Sequence, residues 1–189
     1  MENFKKVNDE TLMETKRLEV ASVTYKSSES EFTHTIIKSV PSVAVLVINE
    51  DNELALIKQF RSTTGEYFIE VPAGLLNEGE TIEEAAAREA REESGLVIKE
   101  VKRLNKSCNY LDPSKSNEDF GSAVAKVERI ADRHLDENEK IDSDVIWMPM
   151  SEVKERLKKQ LVEGEPFFEG LYMSGHSTDT LLQYFFINS

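Results

Sequence analysis

The sequence predicts an α/β chain in which helices cover both sides of a mixed sheet. Three observations point there. The run Ser42-Val-Ala-Val-Leu-Val-Ile48 is apolar at both alternating positions, the pattern of a strand buried on both faces. Strand-like segments outnumber helix-like ones along the chain. The helix-like segments are spread among the strands, and helices packed on either side of one sheet satisfy that order.

Thr15 to Val40 reads as two strands around a polar turn, Lys26-Ser-Ser-Glu-Ser. Leu18, Val20 and Val23 lie before the turn and Phe32, Thr35, Ile36 and Ile37 after it. After Ser42 to Ile48, the turn Glu50-Asp-Asn-Glu53 leads to a second buried strand, Leu54 to Phe60, and a loop through Gly65 to a third, Tyr67 to Val71. Pro72 to Glu80 reads as a glycine-containing loop. Thr81 with Glu84 forms a capping box, so a helix is predicted from Thr81 to Ser94, stopped by Gly95. Strands follow at Val97 to Lys106, Gly121 to Ile130 and Ser143 to Met148, the last carrying the lone Trp147, read as a core residue in preference to one that stacks on a base. Ser151 to Val162 is amphipathic, with Val153, Leu157 and Leu161 at helical spacing. A final helix is predicted from Asp179. The chain divides into an N-terminal β extension, residues 1–40, and a larger domain, residues 41–189.

The 189 residues carry 36 acidic and 23 basic side chains, a formal net charge of -13. So acidic a surface repels phosphate backbones and argues against nucleic acid as a partner. It does not exclude small phosphorylated ligands, because a bound divalent cation reverses the local sign. Cys108 is the only cysteine, so neither an intramolecular disulfide nor a Cys-rich zinc site is expected. No apolar run reaches bilayer-spanning length and no apolar signal core follows Met1, so a cytoplasmic protein with no membrane partner is expected. His34, His134 and His176 are scattered and suggest surface or packing roles.

The chemistry concentrates in Gly74 to Leu96, GLLNEGETIEEAAAREAREESGL. At about 100° per residue, Ile82, Ala85 and Ala86 fall on one helix face and Glu89, Glu92 and Glu93 continue it. Glu83, Glu84, Arg88 and Arg91 point elsewhere, toward solvent or lateral partners. Three carboxylates within one turn on a core-facing side repel one another and lose hydration unless a cation compensates them. Hard oxygen ligands suit Mg²⁺ or Mn²⁺. A structural calcium site is the competing reading, but its usual loop signature is absent.

The segment resembles the Nudix box, Gly-x5-Glu-x7-Arg-Glu-U-x-Glu-Glu-x-Gly-U with U apolar. Its fixed positions are met by Gly74, Glu80, Arg88, Glu89, Glu92, Glu93 and Gly95, and the U positions by Ala90 and Leu96. The resemblance implies an αβα sandwich and a magnesium-dependent pyrophosphohydrolase in which Mn²⁺ can substitute. It implies that Glu89, Glu92 and Glu93 bind metal with the Ala73 carbonyl, and that Glu80 and Arg88 hold the loop to the helix. Glu92, Glu93 and Arg88 are also candidates for the catalytic group, with a structural role the better reading of Arg88. Gly74 is expected where a side chain would obstruct the backbone.

Outside the box, Gln59-Phe60-Arg61 and Glu70-Val-Pro-Ala-Gly74 resemble the ADP-ribose pyrophosphatase branch. Gln59 and Arg61 share a strand face, and with Glu70 they are the candidate substrate-binding residues. A surface arginine at a strand end is the plainer reading of Arg61. The N-terminal extension resembles the β subdomain of the same branch, which commonly packs across a homodimer. The loop Asp112-Pro-Ser-Lys-Ser-Asn-Glu118 falls where the branch reads Ser-Pro-Gly-x-x-x-Glu, with Asp112 and Ser114 departing from it. The expected reaction cuts ADP-ribose or a related nucleoside diphosphate sugar into AMP and a sugar phosphate. Two alternatives are another diphosphate derivative, such as GDP-mannose or a dinucleoside polyphosphate, and a sensor domain without turnover. A carboxylate directly on Mg²⁺ is a poor general base, which favours Glu118 over Glu93 for that role. A solvated loop glutamate beside Asp119 is the bland alternative.

Overall fold

The protein is described here by a computed structural model covering residues 3–16, 18–106, 109–110, 112–133, 141 and 144–188. Cys108, His134 and the first residue of the strand expected from Ser143 lie outside the described residues. The backbone clusters into two compact units. One comprises Met1–Pro41 with Cys108–Phe120, the other Ser42–Ser107 with Gly121–Ser189. The segment 108–120, which the sequence reading kept inside the larger domain, thus clusters with the N-terminal strands.

The first unit is built on three antiparallel strands, β1 (Lys5–Glu14), β2 (Leu18–Lys26) and β3 (Glu31–Ser39), in that order. β2 and β3 are the predicted pair, closed at Lys26↔Glu31. β1 was not anticipated. All ten of its residues are exposed, and its pairing with β2 shifts register between Lys6 and Asn8 and again between Thr11 and Met13. Two such irregularities, at Val7 and Leu12, break the period-two alternation by which a strand is read from sequence. Lys38 on β3 reaches across the sheet to Asp9 at 2.6 Å and Glu19 at 3.0 Å.

The second unit holds β4 (Ser42–Ile48), β5 (Glu53–Arg61), β6 (Glu66–Glu70), β7 (Ala73–Leu75), α1 (Ile82–Ser94), β8 (Leu96–Arg103), β9 (Phe120–Ile130, all but its first residue), β10 (Ile146–Pro149), α2 (Met150–Glu163) and α3 (Gly175–Ile187). The main sheet runs β10-β5-β4-β9-β8, with β6 paired to β5 and β7 to β4. Val43, Val45 and Val47 pack with Ala85, Ala86 and Ala90 of α1, all fully buried. Burying each valine contributes roughly 1.5–3 kcal/mol. Alternation turns the equally buried Ala44 and Leu46 to the other face. Ser122, out of phase with Ala123 of the α1 face, meets Thr180 of α3 at 3.3 Å. α1 and α3 therefore lie on opposite faces, and the layers are αβα.

α3 begins at Gly175, not at Asp179, because the Thr178 N–H already closes on the Ser174 carbonyl at 2.9 Å. Glycine near a helix start reads as a breaker, and this one is not. β7 occupies part of the predicted Pro72–Glu80 loop; three residues are too few to show a period. Trp147 lies half-buried against the α1-side core. No helix among the described residues is long and apolar enough to cross a membrane.

Candidate active site

α1 is fixed at both ends by local chemistry. The Thr81 hydroxyl accepts from the Glu84 N–H while the Glu84 carboxylate accepts from the Thr81 N–H, the reciprocal capping box. Gly95 stops the helix in the left-handed region, φ 71°, with its N–H on the Ala90 and Arg91 carbonyls. Ala85, Ala86 and Ala90 press one side of the helix against β4, which fixes its rotation and so the direction of every glutamate.

Glu89 and Glu93, one turn apart, are 4% and 1% exposed. β7 explains how they are held. Pairing of Ala73 with Ala44 and of Gly74 with Val43 sets β7 beside the helix. The Ala73 N–H donates to Glu93 Oε2 at 2.8 Å, and the Glu89 carboxylate lies where a Cβ on residue 74 would stand. Gly74 is thus required by close approach of a carboxylate. Glu92 differs from the expectation: its side chain is 39% exposed. At about 100° per residue it sits some 60° to the flank of Glu89, enough to reach the rim of the buried face.

Arg88 ties the cluster together and is only 24% exposed. Its Nε and Nη2 donate to the two oxygens of Glu80 at 2.8 and 2.9 Å, and Nη2 also donates to the Leu75 carbonyl at 2.8 Å. Its Nη1 donates to Glu89 Oε1 at 2.5 Å and to Glu92 Oε2 at 2.9 Å. Glu80 accepts further from the Asn77 N–H at 2.8 Å. The Arg88 guanidinium, and after it the Asn77 N–H, hold the Glu80 carboxyl below its ordinary pKa. Glu80 in turn raises that of Arg88.

The three box carboxylates do not form a ready-made metal cage. Among the described residues no three such groups are gathered in a metal-holding arrangement. Glu89 and Glu92 each turn an oxygen onto Arg88, and Glu93 one onto Ala73. The donor chemistry nonetheless fits a hard divalent cation: three carboxylates within about one turn of one helix, two of them buried, are the oxygen ligands such an ion takes. Sequence reasoning singled out the Ala73 carbonyl; the structure also gives work to its N–H, and to Asn77 and the Leu75 carbonyl, none of which a side-chain pattern discloses.

Gln59, Arg61 and Glu70 come together on the β5–β6 ribbon. Glu70 stands opposite Ile57 and Gln59 opposite Phe68, so all three share one face. Arg61 runs back along that face and grips Glu70 with Nε at 2.9 Å and Nη2 at 2.5 Å. The Glu70 side chain is 2% exposed and the Arg61 side chain 40%. Arg61 is therefore held by a buried carboxylate while one flank of it faces outward. Glu70 is three residues from Ala73, at most roughly 10 Å of backbone. Glu118, the remaining candidate, lies half-buried in the 108–120 segment of the first unit.

A family model described as NUDIX domain matches residues 38–169. The chain is 31% identical over 109 residues to an ADP-ribose pyrophosphatase of Bacillus subtilis, covering 57% of this chain and 58% of that one. It is 30% identical over 126 residues to an ADP-ribose pyrophosphatase of Mycobacterium tuberculosis, covering 66% and 60%. The chain thus spans less than two thirds of either relative. A crystal structure described as an ADP compounds hydrolase superposes with a TM-score of 0.75 at 22% identity, covering 99% of this chain and 95% of that one. That likeness is one of fold.

Proposed function

The chain belongs to the Nudix family, and on that premise we propose that it hydrolyses the pyrophosphate bond of ADP-ribose or a related nucleoside diphosphate sugar. The observation that carries this reading is the pair of buried carboxylates, Glu89 and Glu93, set against Ala73 and Gly74 on a helix whose rotation is locked. Acids gathered within about one turn of a helix beside a backbone strand suit a divalent cation with a diphosphate. Glu89, Glu92 and Glu93, with the Ala73 carbonyl, would hold magnesium. When bound, the ion neutralises phosphate oxygens and acidifies a water.

The remaining work falls to the chain's own side chains. Arg88 keeps Glu89 and Glu92 in position and bolts the Leu75–Glu80 loop to the helix. Arg61, oriented by Glu70 and flanked by Gln59, offers its outward flank to a phosphate or ribose hydroxyl of the substrate. Glu118 takes the proton of the attacking water as general base. Water adds to one phosphorus, the anhydride bond breaks, and the other phosphate leaves, so ADP-ribose gives AMP and ribose 5-phosphate. The names of the Bacillus subtilis and Mycobacterium tuberculosis relatives, with Gln59-Phe-Arg61, support this substrate over others. We assign the protein a cytoplasmic location and a homodimeric state as part of the same reading.

The test is a panel of ADP-ribose, ATP, dGTP, GDP-mannose and a dinucleoside polyphosphate, assayed with Mg²⁺ and with excess EDTA. ADP-ribose should lead in kcat/KM, and EDTA should abolish turnover. A lead of about tenfold by another compound, about 1.4 kcal/mol in transition-state stabilisation, removes the substrate assignment. Equal rates with and without the metal remove the mechanism.

A further inference from the structure

The loop that carries Glu118 is fastened to β3 of its own unit. Its base is closed by the Phe120 N–H on the Asn109 carbonyl at 3.0 Å and by the Asn109 N–H on Asp119 Oδ1 at 3.1 Å. Its tip is a turn in which the Asp112 carbonyl accepts from the Lys115 and Ser116 N–H groups at 3.1 and 3.0 Å. The returning limb then lies along β3 as a short parallel addition, Ser116 bridging Ile37. The Ile37 N–H donates to the Lys115 carbonyl at 2.8 Å, and the Asn117 N–H to the Ile37 carbonyl at 3.2 Å. Finally, Asn117 Oδ1 accepts from the Ser39 N–H at 3.0 Å.

Asn117 is therefore bound to β3 twice, by its backbone at Ile37 and by its side chain at Ser39. Two attachments on one strand, two residues apart and so separated by roughly 6.6 Å, fix a residue's direction as well as its place. The next residue in the chain is Glu118, whose own N–H is held by Ser116 Oγ at 3.1 Å. The anchoring strand is held on its other side, where Lys38 pairs with Asp9 of β1 and Glu19 of β2.

We propose that Asn117 is a positioning residue for catalysis: it lashes the loop to β3 and so sets where the Glu118 carboxylate stands. The inference rests on the reading of Glu118 as general base. An asparagine suits the task because one side-chain carbonyl must accept from a strand N–H; alanine cannot do this and aspartate can.

With ADP-ribose and Mg²⁺, Asn117→Ala should lower kcat about ten- to a hundredfold, the scale of a misplaced catalytic group. KM and the Mg²⁺ concentration for half-maximal rate should stay within about twofold, and Asn117→Asp should restore kcat. The decisive measurement is a double-mutant cycle. If Asn117 acts through Glu118, Asn117→Ala costs nothing further in a Glu118→Gln protein. A Glu118→Gln protein at wild-type kcat sinks the general-base reading, and Asn117 then has nothing to position. The Asn117 assignment alone falls if Glu118→Gln is slow while Asn117→Ala keeps wild-type kcat. It falls equally if Asn117→Ala slows both backgrounds by one factor, or if aspartate restores neither rate nor cooperative melting.

Discussion

At the scale of single residues, Arg88 has the most to lose. Its fork serves Glu80, Glu89, Glu92 and the Leu75 carbonyl at once. Truncating one partner of a buried charge pair costs about 3–5 kcal/mol, so Arg88→Ala should lower urea-unfolding stability by that order. Arg88→Lys keeps the charge but loses the fork, and its stability should fall between the two; a lysine variant as stable as wild type would show that the charge alone matters. Glu93→Gln should leave the protein folded, keep an acceptor for the Ala73 N–H, and raise the Mg²⁺ concentration needed for activity. A glutamine variant with an unaltered Mg²⁺ titration would remove Glu93 from the metal set. The box residues could be read from spacing, because one helix fixes their mutual angles. The Arg61–Glu70 grip could not, since it depends on the β5–β6 register, and the side-chain pattern carries no register.

At the scale of elements, the loop–helix junction should respond to acid. Glu80 and Glu84 both titrate below the ordinary glutamate value of 4.5, Glu80 through Arg88 first and Glu84 through the Thr81 N–H first. A carboxyl with a lowered folded pKa contributes stability that is fully present above the unfolded value and is lost as pH falls through the folded one. Melting temperature should hold down to about pH 5 and fall below about pH 4 as these groups protonate. In Glu80→Gln that decline should be shallower, and an unchanged slope would assign acid sensitivity elsewhere. Thr81→Ala should cost about 1 kcal/mol at neutral pH through loss of the cap. The capped helix α1 was fully legible, because Thr81, Glu84 and Gly95 act within a few residues of each other. β1 was not: its irregular register at Val7 and Leu12 scrambles the only periodicity a strand has. α3 gained an extra turn because Gly175 lies inside a helix whose stability comes from packing Ser177, Thr180 and Leu181.

At the scale of the molecule, β1 presents ten exposed residues, among them Val7, Leu12 and Met13, each more than half exposed. A long edge strand with such side chains is an invitation to pair. We expect a homodimer that uses this strand, in keeping with the commonness of two-fold assemblies. Light scattering at micromolar concentration should give twice the mass of the chain, and Leu12→Lys with Met13→Glu should shift it toward the monomer. A monomeric wild type ends the idea. The αβα order of the larger unit followed from the sequence, because strands such as β4 are apolar on both sides. The membership of residues 108–120 did not: the main-chain bonds joining Lys115 and Asn117 to Ile37 leave no trace in side-chain identity, and the bond from the Ser39 N–H to Asn117 Oδ1 spans 78 positions that no local pattern connects.

The interleaving of the two units has a consequence for how this chain can be recombined. Residues 1–41 look like a cassette to be cut away or exchanged, yet the loop bearing Glu118 is fastened to their third strand. A chimera that grafts another N-terminal sheet at Pro41 would inherit the box, its arginine and its glutamates intact. It would lack the one strand edge that fits Lys115, Ser116 and Asn117. Drift in β3 and drift in this loop must therefore keep step, and only an exchange that carries both segments keeps their bonds together.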